Sequence, residues 1–292
     1  MNVCPVMAPS LARVGAVLLC LLAVACEGDR AKEARKVIAD RHGSRVGSIV
    51  KEDLERHARG LVVGAAKIAP GFVKVEGLQQ DQDMRQVLKL LRSPKKGVPE
   101  LIISPMSFLA VVDMNGVAIA RDVDLPEDKM KGMELGKLFP SVRKALAGEA
   151  GWEIGEFASL EKGGKPSVSI VMASPAVYDG KVVGALVLGI PLWRMQQRLS
   201  KQLQMEESKG PGLVLWVYLY RGDELHHHGT PPDLEPSLPK LAQRTAALAK
   251  SPKGYTGDFQ QLGFWYGYGV KPLPILGPDL GAIIVRMDAS AK

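Results

Sequence analysis

FLAVVDMNGVAIARD, residues 108–122, is the stretch on which the reading of the fold turns. Two β-rich runs, FLAVVD (108–113) and VAIAR (117–121), flank Met114-Asn115-Gly116. An Asn-Gly pair accepts the positive-φ backbone of a tight hairpin, so these residues predict two antiparallel strands. Downstream, residues 126–150 switch to helical spacing, with Leu138, Val142 and Leu146 four apart and Pro140 marking a helix start. Three more strands are predicted at WEIGEF (152–157), PSVSIVMAS (166–174) and KVVGALVLGI (181–190). Tyr178-Asp179-Gly180 is a second hairpin cue between the last two. The order over 108–190 is therefore β-β-α-β-β-β.

The same order returns once, in weaker form. A helix is predicted over 192–208, followed by GLVLWVYLY (212–220) and ELHHHG (224–229) around Arg221-Gly222-Asp223. A helix over 236–250 and strands over 254–262, 263–270 and 280–287 complete it. Upstream, residues 28–69 read as helix, interrupted near Gly43/Ser44 and Gly47/Ser48. Val46, Val50, Leu54, Ala58, Leu61, Ala65 and Ile68 recur at steps of four or three and form one apolar stripe, which Pro70-Gly71 ends. That stripe suits a helix lying on the domain; the alternative is a stalk that also forms a homodimer. A short helix follows over 81–92.

The first 26 residues read as an address. Residues 1–13 carry Arg13 and no acid, and residues 14–25 (VGAVLLCLLAVA) are apolar or small throughout. Twelve such residues make about 18 Å of helix, too short for a hydrocarbon core of about 30 Å, so this is a signal peptide and not a span. Leu22-Ala23-Val24-Ala25-Cys26 resembles the bacterial lipobox, which makes Cys26 the lipidation site; Ala23-Val24-Ala25 also fits a simple secretory cut. The other cysteines, Cys4 and Cys20, leave with the signal, so a disulfide or cysteine-metal framework is excluded from the folded part. The expected location is the cell envelope, with acyl chains holding the protein at a membrane surface.

Composition sets further bounds. Apolar residues make up 46% and charged residues 24%, a balance that supports a buried core. The net charge is +7, but 38 basic and 31 acidic residues are mixed along the chain, and no basic block argues for nucleic acid.

The ordered motifs FLAVVDMNGVAIARD, LGKLFPSVRKALAGEAG (135–151) and SPAVYDGKVVGALVLGI (174–190) resemble the Cache family of extracytoplasmic sensor domains, and the repeated order resembles a double Cache. The resemblance implies an α+β fold: a long N-terminal helix plus two PAS-like units, each a five-stranded antiparallel sheet with intervening helices. After the signal peptide (1–25) read above, the expected layout is an N-terminal helical region (26–100), a first unit (101–191), a connecting helix (192–211) and a second unit (212–290). The resemblance also implies a non-catalytic role, in which a small-molecule ligand sits in a cavity beneath residues 126–150. Asp288-Ala289-Ser290-Ala291-Lys292 follow directly on the last predicted strand, so the signal is expected to pass through a membrane receptor or kinase partner. The alternative is an accessory envelope lipoprotein using its Cache-like units for protein–protein contact.

Candidate ligand residues come from strand parity and position. In PSVSIVMAS, Val168, Ile170 and Met172 share one face, while Ser167, Ser169, Val171 and Ala173 share the other. The second face is smaller and more polar, which suits a cavity wall and nominates Ser167 and Ser169. Trp152 and Glu153 are nominated by position, and in a regular strand only one of the two faces the cavity. The Arg-x-Trp-Tyr cluster of amino-acid-binding relatives is not visible, so no ligand identity carries over.

Other chemistry is weak. His226 and His228 would share a strand face, but a metal site needs three or four ligands, and only His42 and His57 complete the histidine inventory with His227. No metal or cofactor is expected. Neither 131–136 nor 162–165 has phosphate-loop spacing, and no Gly-x-Ser-x-Gly or His-Glu-x-x-His occurs. Phe264, Tyr266 and Tyr268 share one predicted strand face, which suits packing or a stacking platform for a ring or sugar.

Overall fold

The computed structural model describes residues 30–74, 77–104, 107–122, 130–157, 166–207 and 213–288. The expected signal peptide and Cys26 lie outside the described residues. Helix α1 runs over 30–68, with a single π-helical turn at Ile38–His42 between 30–37 and Gly43–Ile68. The expected interruption at Gly43 and Gly47 is absent, because the burial of one apolar face outweighs the roughly 1 kcal/mol a helical glycine costs. Val46, Ile49, Val50, Leu54, Leu61, Ala65 and Ile68 are buried. Ala58 is exposed, and His57 takes the inward position beside it, since steps of four drift off a 3.6-residue period.

Two short helices follow, α2 (Gly71–Lys74) and α3 (Gly77–Leu91), then a 3-10 turn at Pro99–Leu101. The first sheet contains β1 (Phe108–Val112), β2 (Ala118–Arg121), β3 (Gly151–Phe157), β4 (Ser167–Tyr178) and β5 (Lys181–Pro191). Its strand order is β2-β1-β5-β4-β3, antiparallel throughout. Helices α4 (Leu135–Leu138) and α5 (Pro140–Leu146) cross one face, while α1 covers the other. Helix α5 starts at Pro140, as the sequence predicts; Phe139, extended at φ −121°, separates it from α4 and Leu138 lies exposed, while Val142 and Ala145 point inward.

Helix α6 (Leu192–Glu207) leads to the second sheet, built from β6 (Leu213–Arg221), β7 (Glu224–His226), β8 (Tyr255–Gln261), β9 (Phe264–Pro272) and β10 (Leu280–Asp288). Its order, β7-β6-β10-β9-β8, reproduces that of the first. The helical segment expected at 236–250 is a 3-10 stretch at Pro232–Ser237 followed by helix α7 (Leu241–Lys250). Pro236 and Pro239 delay the α-helix because each lacks a backbone N–H.

Turn chemistry follows the sequence with one change. Asp179 and Gly180 have φ of 49° and 73°, a two-residue hairpin turn between β4 and β5. The Asn115-Gly116 turn is longer than two residues. Asp113 Oδ1 accepts from the Asn115 N–H at 3.0 Å and the Val117 N–H at 2.8 Å, forming a side-chain-closed loop. Gly116, at φ 82°, packs on Gly136 so closely that a Cβ on it would lie 2.9 Å from the Gly136 Cα.

Both sheets share α1 as one wall. Gly60 and Gly64 let it approach the Pro99–Leu101 turn and β5: a Cβ at Gly60 would meet Glu100 Cβ at 2.6 Å, and one at Gly64 would meet Leu186 Cδ2 at 2.8 Å. At the second sheet, buried His42 lies 3.0 Å from Arg286, which also pairs with Glu207 at 2.9 Å. Helix α6 seals β6 where β7 does not reach. The Ser200 hydroxyl accepts from the Val217 N–H at 2.9 Å, and the Gln204 amide donates to the Leu215 carbonyl at 2.9 Å.

Candidate functional site

In each unit the sheet face opposite α1 lies beneath short helices, and the two faces differ in what fills them. In the first unit, Ala110, Val112, Val171, Ala173, Ala185 and Val187 meet Leu135, Phe139, Val142 and Ala145. Three rings close the middle: Phe157 lies 5.3 Å from Phe108 and 4.9 Å from Phe139. The described side chains on this face pack on one another.

Register places the four nominated residues. Glu153 pairs with Val171, and Gly155 pairs with Ser169, so Glu153, Ser167 and Ser169 belong to the face beneath α4 and α5. Ser169 is buried and Ser167 half-buried. Glu153 Oε1 accepts from the Ser141 N–H at 2.6 Å, which places a carboxylate at the first turn of α5. Trp152 pairs with Met172 on the other face. It lines a small hollow of about 130 Å³ together with Leu61, Ala58 and Met172, against α1. Strand alternation separates neighbours 152 and 153, and the tryptophan goes to the helix side.

The second unit's corresponding face is aromatic. Trp216, Tyr218 and Tyr220 of β6, Tyr255 and Phe259 of β8, and Tyr266 and Tyr268 of β9 share it. Phe259 stacks on Tyr266 with centroids 5.1 Å apart, and Tyr255 meets Tyr268 edge-on at 6.3 Å. Phe264, expected to join them, lies exposed at the end of the hairpin. Gly257 makes room for Tyr268, whose hydroxyl would lie 2.5 Å from a Cβ there.

Arg244 of α7 is buried, with its guanidinium 4.4 Å over the Tyr220 ring, and it donates to the carbonyls of Pro239 (2.6 Å) and Gly222. Tyr218 donates to the Pro231 carbonyl at 3.1 Å, and burial pushes its hydroxyl up to about 12. Tyr255 is also pushed up to about 12 by burial, yet its hydroxyl has no hydrogen-bond partner, and neither does Arg244 Nε. Tyr255 and Tyr268 line a cavity of about 280 Å³ with Ser237, Pro239, Gln243, Ala247 and Asp258, which also pairs with Arg35 at 2.8 Å.

The histidine run does not converge on a metal. His227 engages Thr230 and lies 2.9 Å from Glu235, His228 packs on Trp193 at 5.2 Å, and the buried Nε2 of His226 has no partner. Among the described residues no group of three His, Cys, Asp or Glu side chains gathers to hold a metal. Arg221-Gly222-Asp223 is a hairpin turn, and Asp223 Oδ1 accepts from the Leu241 N–H at 3.2 Å, at the start of α7.

Twin sheets of order 2-1-5-4-3, each with helices over one face and a shared long helix on the other, define the Cache-type, PAS-like fold of extracytoplasmic sensor domains. Solved structures share it over nearly their whole length. The sensor domain of the V. cholerae histidine kinase DctB aligns at a TM-score of 0.52 and 13% identity, covering 86% of this chain and 96% of that one. The ligand-binding domain of the Campylobacter jejuni chemoreceptor Tlp3, in complex with L-valine, aligns at 0.52 and 12% identity over 89% and 93% of the two chains. A domain of a sensory box/GGDEF family protein from Vibrio parahaemolyticus aligns at 0.53 and 11% identity over 89% and 97%. At these identities the likeness is one of fold. No family model and no curated protein sequence matches the chain.

Proposed function

We propose that this chain is an extracytoplasmic, lipid-anchored sensory module that binds a small molecule without transforming it and acts through a membrane receptor or kinase. Fold supports the sensory part: the Tlp3 and DctB domains that share it are a chemoreceptor's ligand-binding domain and a kinase's sensor domain. The observation that carries the reading is the aromatic cavity of the second unit. A space of about 280 Å³ walled by Tyr255 and Tyr268 suits a small organic ligand. The unpartnered Tyr255 hydroxyl is a buried donor that a ligand acceptor would satisfy. Two aromatic walls together with Ser237, Gln243 and Asp258 favour a polar ligand that carries a flat ring or a sugar-like face.

For the first unit the proposed ligand residues are Glu153, Ser167 and Ser169, which strand register puts on the corresponding face. Trp152 stays with α1. The Cys26 lipid supplies the membrane attachment, and the stripe of α1 is largely spent on the two sheets.

A thermal-shift screen of amino acids, organic acids, amines, sugars and purines tests the reading. A compound that raises the melting temperature of the wild type, with the rise lost in Tyr255→Phe, supports it. An empty screen at millimolar concentrations refutes it. Mass spectrometry of the mature protein tests the anchor: a diacylated Cys26 at the N-terminus supports it, and an intact Met1 refutes it. One observation favours the accessory reading, namely the ring-filled face at Phe108, Phe139 and Phe157. An empty screen with a stable hetero-complex on size exclusion would select it.

A further inference from the structure

The units meet α1 and α6 at a second cavity, of about 240 Å³, away from both sheet faces described above. Asp53, Arg56 and His57 of α1 line one side, Arg194 and Arg198 of α6 the other, and Ile102, Ile103, Ser104 and Ser107 close the end. Arg194 and Arg198 are one helical turn apart, so their side chains share a face of α6.

Charge in this cavity does not balance. Buried Asp53 is shared by two guanidiniums, 2.9 Å from Arg56 and 3.4 Å from Arg198. Arg194 donates from Nη1 to the Gln197 side chain at 2.6 Å and lies 4.4 Å over the Trp193 ring. Three lining guanidiniums therefore face one carboxylate. The histidine adds no negative charge: His57 Nδ1 lies 2.7 Å from the Glu100 carbonyl, and burial lowers its pKa, which keeps the ring neutral at pH 7. Nor does the loop supply free carbonyls on every side. Arg92, already paired with Asp122, takes those of Ile103 (3.0 Å), Ser104 (2.8 Å) and Ser107 (3.2 Å).

Two donors are left over. The Nε groups of Arg56 and Arg194 are buried and have no hydrogen-bond partner. The Arg56 side chain is 42% exposed and Arg194 is half-buried, so both guanidiniums line the cavity with surface still open to it, and an oxyanion is the acceptor their planar geometry fits best. The space admits several heavy atoms, since one water occupies about 30 Å³ of liquid.

We propose that this cavity is a binding site for a small oxyanion, separate from the aromatic cavity of the second unit, and that the bound anion ties α1 to α6 at the junction of the two units. Arg194 and Arg56 are its principal ligands. Phosphate and carboxylate groups share the chemistry that this cluster reads. The inference does not rest on the ligand reading of the second unit.

Isothermal titration of the mature chain in low-salt buffer at pH 7, with inorganic phosphate in one arm and malonate in the other, tests the proposal. Saturable binding is expected in at least one arm; phosphate alone would assign a tetrahedral oxyanion, and malonate alone a carboxylate. Arg194→Gln spares the Asp53 ion pairs, so it folds, which circular dichroism verifies, and it is expected to weaken binding at least tenfold. Arg56→Gln gives a second reading from the opposite wall, and Tyr255→Phe is expected to leave the affinity unchanged. Absence of saturable binding in both arms overturns the proposal, as does unaltered affinity in both arginine variants. Loss of binding in Tyr255→Phe would instead place the anion in the aromatic cavity and likewise overturn it.

Discussion

Alanine substituted at two glycines of the same helix should have unequal effects, stabilising at one and neutral to destabilising at the other. Gly47 and Gly60 both lie within α1, 13 positions apart, and both are helical. Replacing either with alanine removes the same backbone entropy from the unfolded chain and gains about 0.8–1 kcal/mol of helix propensity. The surroundings differ. A Cβ at Gly47 meets nothing within 4 Å, so Gly47→Ala keeps the whole gain. A Cβ at Gly60 lies 2.6 Å from Glu100 Cβ, 3.2 Å from Leu101 Cγ and 3.3 Å from the Glu100 carbonyl carbon. Two of those three atoms sit at or next to backbone, so α1 and the Pro99–Leu101 turn must separate. Overpacking of that kind costs about 1–3 kcal/mol. Gly47→Ala is therefore expected to stabilise by about 1 kcal/mol, and Gly60→Ala to fall about 1–3 kcal/mol below it. Urea unfolding followed by far-ultraviolet circular dichroism measures both, and matched m-values establish that the unfolded states are comparable. For a chain this size 1 kcal/mol corresponds to about 2–4 °C in Tm. Equal effects at the two positions would refute the argument that Gly60 is there to seat the helix against the turn.

Three further outcomes are expected. Tyr255→Phe removes a buried hydroxyl that has no partner, so the ligand-free protein should be unchanged or more stable by up to about 1 kcal/mol in thermal melts. Phe139→Ala should cost about 3–5 kcal/mol by urea unfolding, because the ring packs on Phe157 at 4.9 Å beneath α5 and its loss leaves a cavity. Stability should also fall as pH drops below about 6.5. Burial lowers the pKa of His57 and His226, so below 6.5 the unfolded chain binds protons that the folded chain refuses. Above 6.5 both states are neutral and the contribution vanishes. Melting curves between pH 7.5 and 5.5 check this, and His226→Gln should reduce the slope.

Periodicity and turn residues determined the architecture. Alternation in 166–174, the Asp179-Gly180 turn and the stripe of α1 are local properties, each set by a period of two, a positive φ or a period of 3.6, and each appears in the structure. Strand parity likewise put Ser167 and Ser169 on one face and Met172 on the other, as their partners in β3 and β5 confirm. Tertiary structure decided the rest. The π turn at Ile38–His42 and the inward turn of His57 in place of Ala58 answer to packing between distant segments. The two cavities are of the same kind. Tyr255 and Tyr268 come together only when β8 and β9 pair beneath α7, and Arg56 meets Arg194 only because α1 and α6 cross. Spacing along a chain fixes which way neighbouring side chains point, whereas a cavity is closed by elements that only the fold brings together, whether from one hairpin, as with Tyr255 and Tyr268, or from helices as distant as those of Arg56 and Arg194.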